Sequence, residues 1–408
     1  MTTVAVRDTQ ETRHAPGSPG YRRVMLAMFA AGVATFVLLY DTQALLPEFA
    51  EQFAVSPAAA TLTVSLTTIG LAVALLVAGP VSEMLGRTPM IHTALWCSSL
   101  VAVAGALSPG WHALLWLRLI EGVTLAGLPA VATAYLREEL HPRAHARAAG
   151  LYIGGTALGG MAGRLITAPI AEVAGWRWAL AAAAGTALVC AALVSLLLPR
   201  SRHFSPRPRS LRSVAAMVRG ATTDPALLSL YALGACSAGA LVGVFNSLGF
   251  RLAAAPFGLG LGVVGLLYLV YPLGTASSVL SGRRADRLGR RAVLPVGCAL
   301  ALAGVALLAT PSLPVIVAGL ALLTTGFFVI HGLASGWVAA RAHAVGASTS
   351  QAAAFYLCAY YLGSSIFGSL GGQLWSSHGW AGVTVMATAL LLAGSLLTAL
   401  LRRTPARA

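Results

Sequence analysis

Lysine is absent from this sequence, and charged residues of every kind make up only 10% of its 408 positions. A soluble domain carries about 25% charged residues. Hydrophobic residues account for 57% of this chain. The shortage of charge therefore excludes an ordinary soluble globular domain and indicates a protein that lies in a membrane.

Several kinds of site are also missing. The cysteines have no paired spacing and no histidine partners, which excludes a disulfide framework or a zinc site; they are Cys97, Cys190, Cys236, Cys298 and Cys358. The sequence contains no nucleophile–base cluster, no phosphate-binding glycine-rich loop and no nucleotide-binding motif. We therefore expect neither an enzyme nor an ATP-driven pump, and no metal ion or other cofactor.

Nucleic acid is excluded as a partner by the placement of the positive charge. The formal net charge is +15, but the arginines stand in short clusters between apolar segments. Arginine in such positions is the signature of membrane topology. The expected partners are the lipid bilayer, a small-molecule solute and protons.

Twelve apolar segments are present. A spanning helix needs about 20 mostly apolar residues. The segments lie near residues 23–46, 58–80, 90–108, 112–135, 147–171, 177–198, 226–250, 259–281, 292–310, 314–339, 349–374 and 380–401. An even number of spans places both termini on one side, and 23 of the 27 arginines fall on that side. The positive-inside rule therefore predicts a multi-pass protein of the cell membrane with both termini in the cytoplasm.

The segments form two halves, which we place at residues 22–198 and 225–402. Tyr152 and Gly159 recur 204 residues later as Tyr356 and Gly363. Parallel repeats of six spans characterise one large transporter architecture. We predict an all-α membrane protein of twelve helices in two pseudo-symmetric halves, and a monomer. The remaining segments are a disordered tail (1–21), a basic linker with a short surface helix in its second half (199–224) and an end tail (403–408).

A charged turn is repeated between the spans. Its first copy, in LVAGPVSEMLGRTPM, contains Gly79, Glu83, Gly86 and Arg87; its second copy, 203 residues later in LSGRRADRLGRRAVL, contains Gly282, Asp286, Gly289 and Arg290. We call these the first and second loop motifs. A turn that only satisfied the positive-inside rule would explain the arginines but not the repeated acid and glycines. An acid can meet the positive N-terminus of a neighbouring helix. We therefore predict a gating contact in each half, formed in one conformation and broken in another.

The loop motifs resemble the G-x-x-x-D/E-x-x-G-R signature of the major facilitator superfamily. LRLIEG, with Arg118 and Gly122, is similar to the R-x-x-Q-G motif of that family, with Glu121 where glutamine is usual. LYDTQALLPEFAEQFAVSP and GGMAGR are similar to bacterial permeases of the arabinose-efflux and drug:proton antiport kind. The resemblance covers residues 22–402 and implies transport by alternating access. The first loop motif departs from the family pattern, because it has Glu83 in place of aspartate.

Four ionisable residues fall inside spans of the first half: Asp41, Arg118, Glu121 and Arg164. Charged groups in a membrane are costly and mark functional sites. Their depths are similar, so we predict one network of zero summed charge. It is either a purely structural network or a proton-carrying site. For the second case we favour Glu121 as the titrating group, since it lies deepest, and Asp41 as its counterweight.

The second half has no carboxylate within its spans. Its polar residues Asn246, His331, Tyr356 and Tyr360, together with Gln43 of the first half, are candidates to line a substrate cavity. Tyrosine suits a cavity for amphiphilic solutes, since the ring is apolar and its tip polar. Packing in the core is the alternative for His331 and the tyrosines.

Taken together, these features predict a secondary active transporter that exports a small neutral or cationic organic molecule in exchange for protons. Uptake of a small anion on Arg118 and Arg164, as in the cyanate permeases that the sequence also resembles, is the alternative, and uniport is another. The sequence identifies neither the solute nor the direction.

Overall fold

The structure, a computed structural model, describes residues 13–204 and 211–403, and these residues form helices without a β-sheet. Ten of the helical segments are long and apolar enough to cross a membrane. The last of them is broken at Gly379 and forms two spans. The 30-residue helix His145–Ala174 completes twelve spans within the described residues. The predicted fold class is confirmed.

Spans 1 to 6 are Pro19–Gln52, Pro57–Leu85, Arg87–Ala106, Trp111–Glu139, His145–Ala174 and Trp176–Leu197. Spans 7 to 12 are Pro225–Ala253, Leu261–Leu288, Arg290–Leu308, Leu313–Ala344, residues 349–378 and residues 380–403. Most exceed the predicted apolar segments by a few residues, because polar turns continue the helix past its apolar part.

Glycines end the helices at the repeated turns. Gly86 and Gly289 of the loop motifs have φ of 91° and 83°. Gly175 and Gly379, which end spans 5 and 11, have φ of 84° and 60°. Only glycine adopts these left-handed values without steric cost. The glycines of the sequence repeat therefore correspond to a turn that both halves use.

Close packing of spans 1 and 5 positions the polar residues of the first half. Gly155, Gly159 and Gly163 face the backbone of span 1, and a Cβ at Gly163 would lie 2.6 Å from the carbonyl oxygen of Val37. Small residues four positions apart let two helix backbones approach closely. The second half repeats the arrangement at Gly363, which faces Ala235 of span 7.

Described residues outside the spans make defined contacts with the bundle. His14, in the predicted tail, pairs its backbone with that of Leu140. The buried carboxylate of Glu139 accepts hydrogen bonds from the backbone amides of Arg202 and His203, at the start of the linker. A helix spans Leu211–Thr222, where a short helix was predicted. Residues 1–12, 205–210 and 404–408, to which the tail and linker predictions also apply, lie outside the described residues.

The two halves touch on the face opposite the chain termini, which we call the opposite face. Thr68 of span 2 shares a 2.6 Å hydrogen bond with Ser365 of span 11. Glu172, at the end of span 5, accepts a 2.6 Å hydrogen bond from the backbone amide of Gly262 in span 8. Together with the hydrogen bonds that Gln43 and Ser65 make to the second half, these contacts lie between this face and the middle of the bundle.

The halves are separated on the terminal face, which carries the described chain ends. A cavity of about 150 Å³ lies between Glu83 and Arg87 on one side and Ser350 and Gln351, at the start of span 11, on the other. No atom lies within 4 Å of a Cβ placed on Gly79 or on Gly282. The bundle is thus closed at the opposite face and open at the terminal face.

Candidate functional site

The first site element is an interruption in span 1. The α-helix ends at Tyr40, a 3₁₀ turn covers Gln43–Leu45, and a new helix begins at Leu46. Pro47 is the local cause, since proline has no backbone N–H to donate to the carbonyl four residues earlier. The interruption frees backbone acceptors: the carbonyl oxygen of Asp41 accepts a 2.8 Å hydrogen bond from the Thr167 hydroxyl.

Arg118 is the centre of a buried charge cluster that also contains Asp41 and Glu121. Its Nη1 lies 2.6 Å from Oε2 of Glu121 and 3.0 Å from Oδ1 of Asp41. Its Nε and Nη2 donate to the carbonyl oxygens of Thr63 and Leu38 at 3.0 and 3.1 Å. Each of the three charged side chains is only 2% exposed. The guanidinium therefore holds spans 1, 2 and 4 together around two carboxylates.

The cluster contains more negative than positive charge. Two carboxylates face one guanidinium, and Oε1 of Glu121 has no hydrogen-bond donor. Oδ1 of Asp41 is buried as well, and its one close polar neighbour is Nη1 of Arg118, which also serves Glu121. A single proton bound to either carboxylate would make the cluster neutral and supply one of the missing donors.

Arg164 does not join this cluster, which corrects the prediction of one network of four charges. Its Nε donates to Oε1 of Gln43 at 2.6 Å, and its Nη1 donates to the carbonyl oxygen of Gly160. The physical reason for the difference is the direction in which the Arg164 side chain points from its helix. Helix rise gives the depth of a side chain but not the face it occupies, and Arg164 faces span 8 of the other half.

Three tyrosine rings surround the Arg164 guanidinium. Tyr40 of span 1 lies 4.2 Å from it, and Tyr268 and Tyr271 of span 8 lie 4.7 and 4.8 Å from it, measured to the ring centroids. These distances are typical of cation–π contacts. Span 8 is also interrupted here, by a 3₁₀ turn at Leu267–Val270 just before Pro272. None of these three tyrosines stands out as a candidate site residue in the sequence.

Gln43 and Asn246, two of the candidate cavity residues, connect the halves directly. Nε2 of Gln43 donates a 2.6 Å hydrogen bond to Oδ1 of Asn246, and both side chains are buried. Arg164, Gln43 and Asn246 thus form a polar chain from span 5 through span 1 to span 7.

The other candidate cavity residues form an aromatic group in the second half. The Tyr356 hydroxyl lies 3.0 Å from Nδ1 of His331. His331 stacks on Phe327 and contacts Tyr360, with ring centroids 5.7 and 5.0 Å apart. Tyr360 lies within hydrogen-bonding range of Tyr40. This group therefore extends to the surroundings of Arg164.

The two loop motifs differ in their contacts. In the first, Arg87 lies 2.7 Å from Glu83 and 3.1 Å from Glu138, so its charge is balanced within the first half. In the second, Asp286 and Arg290 are exposed, and neither makes an ion pair with a described residue. Among the described residues, neither acid forms an ion pair with the opposite half in this conformation.

Comparison with known proteins identifies the family. The family model described as Major Facilitator Superfamily matches residues 24–355. The chain is 39% identical to the uncharacterized MFS-type transporter YybF of Bacillus subtilis over 95% of both chains. It is 40% identical to the inner membrane transport protein YnfM of Escherichia coli, over 95% of this chain and 92% of that one.

Solved structures agree on the fold. A bacterial homologue of the human lysosomal transporter Spinster, in an inward-facing and occupied conformation, superposes with a TM-score of 0.75 at 16% identity, covering 95% of this chain and 98% of that one. A mutant of the nucleoside transporter NupG gives a TM-score of 0.74 at 13% identity, covering 93% and 99%. With the family model and the bacterial relatives, these matches show that the chain belongs to the major facilitator superfamily of membrane transporters.

Proposed function

We propose that this protein is a proton-coupled secondary transporter of a small organic molecule. The observation that carries the proposal is the cluster of Asp41 and Glu121 on the single guanidinium of Arg118. A buried cluster with one excess negative charge is costly unless it binds a proton. The cluster also joins spans 1, 2 and 4, so a change in their packing changes the environment of both carboxylates.

Alternating access supplies the transport cycle. We propose that the terminal face is cytoplasmic, as the arginine distribution predicts, so that the described conformation is open to the cytoplasm. In the other conformation the halves would meet across the 150 Å³ cavity, where Glu83 faces the N-terminus of span 11. An acid near a helix N-terminus is stabilised by the helix dipole. The two loop motifs then act as the predicted gating contacts.

Export of the solute in exchange for protons is the first form of the proposal, and resemblance to the efflux permeases supports it. Uptake of a small anion is a second form, which a different observation favours. Arg118 is occupied by two carboxylates and does not suit an added anion. Arg164 has no carboxylate partner within the described residues, so it is the one of the two arginines that suits an anion.

Flux in proteoliposomes tests the proton coupling. A compound panel is assayed for accumulation with and without an imposed proton gradient, and for counterflow without one. Glu121→Gln should abolish gradient-driven accumulation while preserving counterflow, because glutamine keeps a hydrogen-bonding oxygen but cannot release a proton. Asp41→Asn should weaken both, since it changes the balance of a buried ion cluster.

Glu51→Gln is the matched control, because Glu51 is exposed at the end of span 1, outside the cluster. It should transport at the wild-type rate. Accumulation of solute by Glu121→Gln against its gradient would exclude Glu121 as the proton carrier and leave Asp41 as the candidate. If Glu121→Gln and Asp41→Asn both remain coupled to the proton gradient, the proposal is refuted.

A further inference from the structure

A second arginine in this structure shows how the charge of a buried guanidinium can be compensated without a carboxylate partner. Arg251, at the end of span 7, donates to the carbonyl oxygens of Leu308 and Thr310 and lies 4.5 Å from the Trp380 ring centroid. Those carbonyls belong to the C-terminal end of span 9, where the helix dipole is negative. Arg251 is therefore satisfied by a fixed partial charge.

Arg164 lacks this compensation. Its side chain is 1% exposed, and it donates to the neutral amide oxygen of Gln43 and the carbonyl oxygen of Gly160. The uncharged hydroxyls of Tyr268 and Tyr271 are also within its hydrogen-bonding range. Gly160 lies four residues earlier in the same long helix, far from the helix C-terminus at Ala174. Tyrosine rings offset only part of a buried charge. Arg164 thus carries a positive charge that makes no ion pair with any carboxylate of the described residues.

The location of Arg164 is that of a substrate site. Its neighbours Tyr40 and Gln43 belong to the first half, whereas Tyr268 and Tyr271 belong to the second. A group bound there touches both halves near the middle of the bundle. Transporter sites lie at the repeat interface near the bilayer midplane.

An aromatic surface continues from Arg164 into the second half. Tyr271 contacts Phe328 edge to face at 6.0 Å, and Phe328 contacts Phe327 at 5.3 Å. Phe327 in turn contacts Tyr360. Tyr271, Phe328 and Tyr360 are half-buried, so each retains surface for a solute. The surface offers stacking and apolar contact, with little charge of its own.

From the unbalanced guanidinium and this aromatic surface, we infer that the substrate is an aromatic carboxylate, with its carboxylate on Arg164 and its ring among the tyrosines of spans 1 and 8. A carboxylate adds an opposite charge and can accept two parallel hydrogen bonds from the guanidinium, whereas the acceptor oxygens of Gln43 and Gly160 are uncharged. Binding would replace the Gln43 contact. The inference rests on the proposed transport function.

Equilibrium binding to the purified full-length protein in lipid nanodiscs tests the inference. The probes are benzoate, 4-hydroxybenzoate and salicylate, each compared with its neutral amide. At least one carboxylate should bind at least about tenfold more tightly than its amide, as expected for a charge-assisted pair. Arg164→Gln should remove that preference, and Arg164→Lys should retain part of it because it keeps the charge.

Arg251→Gln is the matched control, since Arg251 is buried and contacts aromatic rings but lies at the end of span 7, outside the contacts of Arg164. It should lower the unfolding temperature and leave the preference for carboxylates unchanged. Arg164→Gln should unfold at the wild-type temperature or above it, because it removes an unbalanced buried charge. A much lower unfolding temperature for Arg164→Gln would assign Arg164 a structural role and overturn the inference.

The outcomes separate this inference from the proposed function. If no carboxylate is preferred over its amide, Arg164 is not an anion site, even where proton-driven flux of another solute is found. If carboxylates bind through Arg164 but a proton gradient drives no flux, the site stands and proton coupling fails. Equal loss of the preference in Arg164→Gln and Arg251→Gln would refute the specific role of Arg164.

Discussion

The contact between spans 2 and 11 on the opposite face offers a direct test of alternating access. A Cβ added at Gly372 would lie 2.9 Å from Cα of Ala58 and 3.0 Å from the carbonyl oxygen of Pro57. Carbon atoms pack favourably at about 3.5–4.0 Å. Both neighbours are backbone atoms, so they cannot rotate away. Gly372→Ala therefore forces the two halves apart by roughly 0.5 Å or more at this point.

The expected magnitude follows from the cost of overpacking. Such substitutions typically cost about 1–3 kcal/mol. The cost applies to the conformation closed at the opposite face and is relieved where the halves separate there. A difference of about 1–3 kcal/mol changes the ratio of two conformations about 5- to 150-fold. We therefore expect Gly372→Ala to raise the population that is open at the opposite face.

Distances between spin labels measure that population. Labels at Glu51→Cys and Ala381→Cys, exposed on the opposite face of the two halves, are placed in a background without the five native cysteines. Gly372→Ala should add a longer distance to the distribution. Gly185→Ala is the control, because no atom lies within 4 Å of a Cβ at that position. If both variants give the wild-type distribution, this contact does not determine which face is closed.

Two further predictions concern the terminal face. Asp286→Asn should slow transport without lowering the amount of protein in the membrane, and a wild-type rate would show that the second loop motif is not a gating contact. Burial acts to raise the pKa of Asp224, but hydrogen bonds from Arg341 and the Leu227 amide hold that pKa below its ordinary value. Its stabilising effect is therefore present at neutral pH and lost as the pH falls below the ordinary value. Asp224→Asn should lower the unfolding temperature at pH 7. The gap in unfolding temperature between the variant and the wild type should become smaller in acid, and a gap that does not change with pH would contradict this explanation.

The fold could be predicted because a membrane restricts the choices. Every backbone polar group in the bilayer must be satisfied internally, so long apolar segments form helices. The repeated glycines at 86 and 289 also predicted turns correctly, since positive φ leaves little choice of residue. The exact helix ends were harder to predict, because polar residues such as Ser82 and Glu83 continue span 2 beyond its apolar part.

Only part of the site could be predicted from the sequence. Arg118 and Glu121 are three residues apart and share a helix face, which predicts their contact. Arg164 has a similar depth but faces another helix. Depth alone does not show whether a charged side chain joins the cluster around Arg118 or points away from it. Tyr268 and Tyr271 could not be separated from the many aromatic residues of the spans. Their one local signal is Pro272, which marks the interruption of span 8.

The charges around Arg118 and Arg164 connect the binding of the substrate to the binding of the proton. Asp41, Glu121, Arg118 and Arg164 sum to zero when both carboxylates are ionised. A bound carboxylate at Arg164 adds one negative charge to this buried region, and a proton on Asp41 or Glu121 removes one. Each event therefore lowers the electrostatic cost of the other, and such coupling is reciprocal. An anionic substrate and a proton would then occupy the protein together, which favours uptake over exchange, whereas a cationic substrate would compete with the proton and favour export. The charge of the substrate thus determines which form of the proposed function applies.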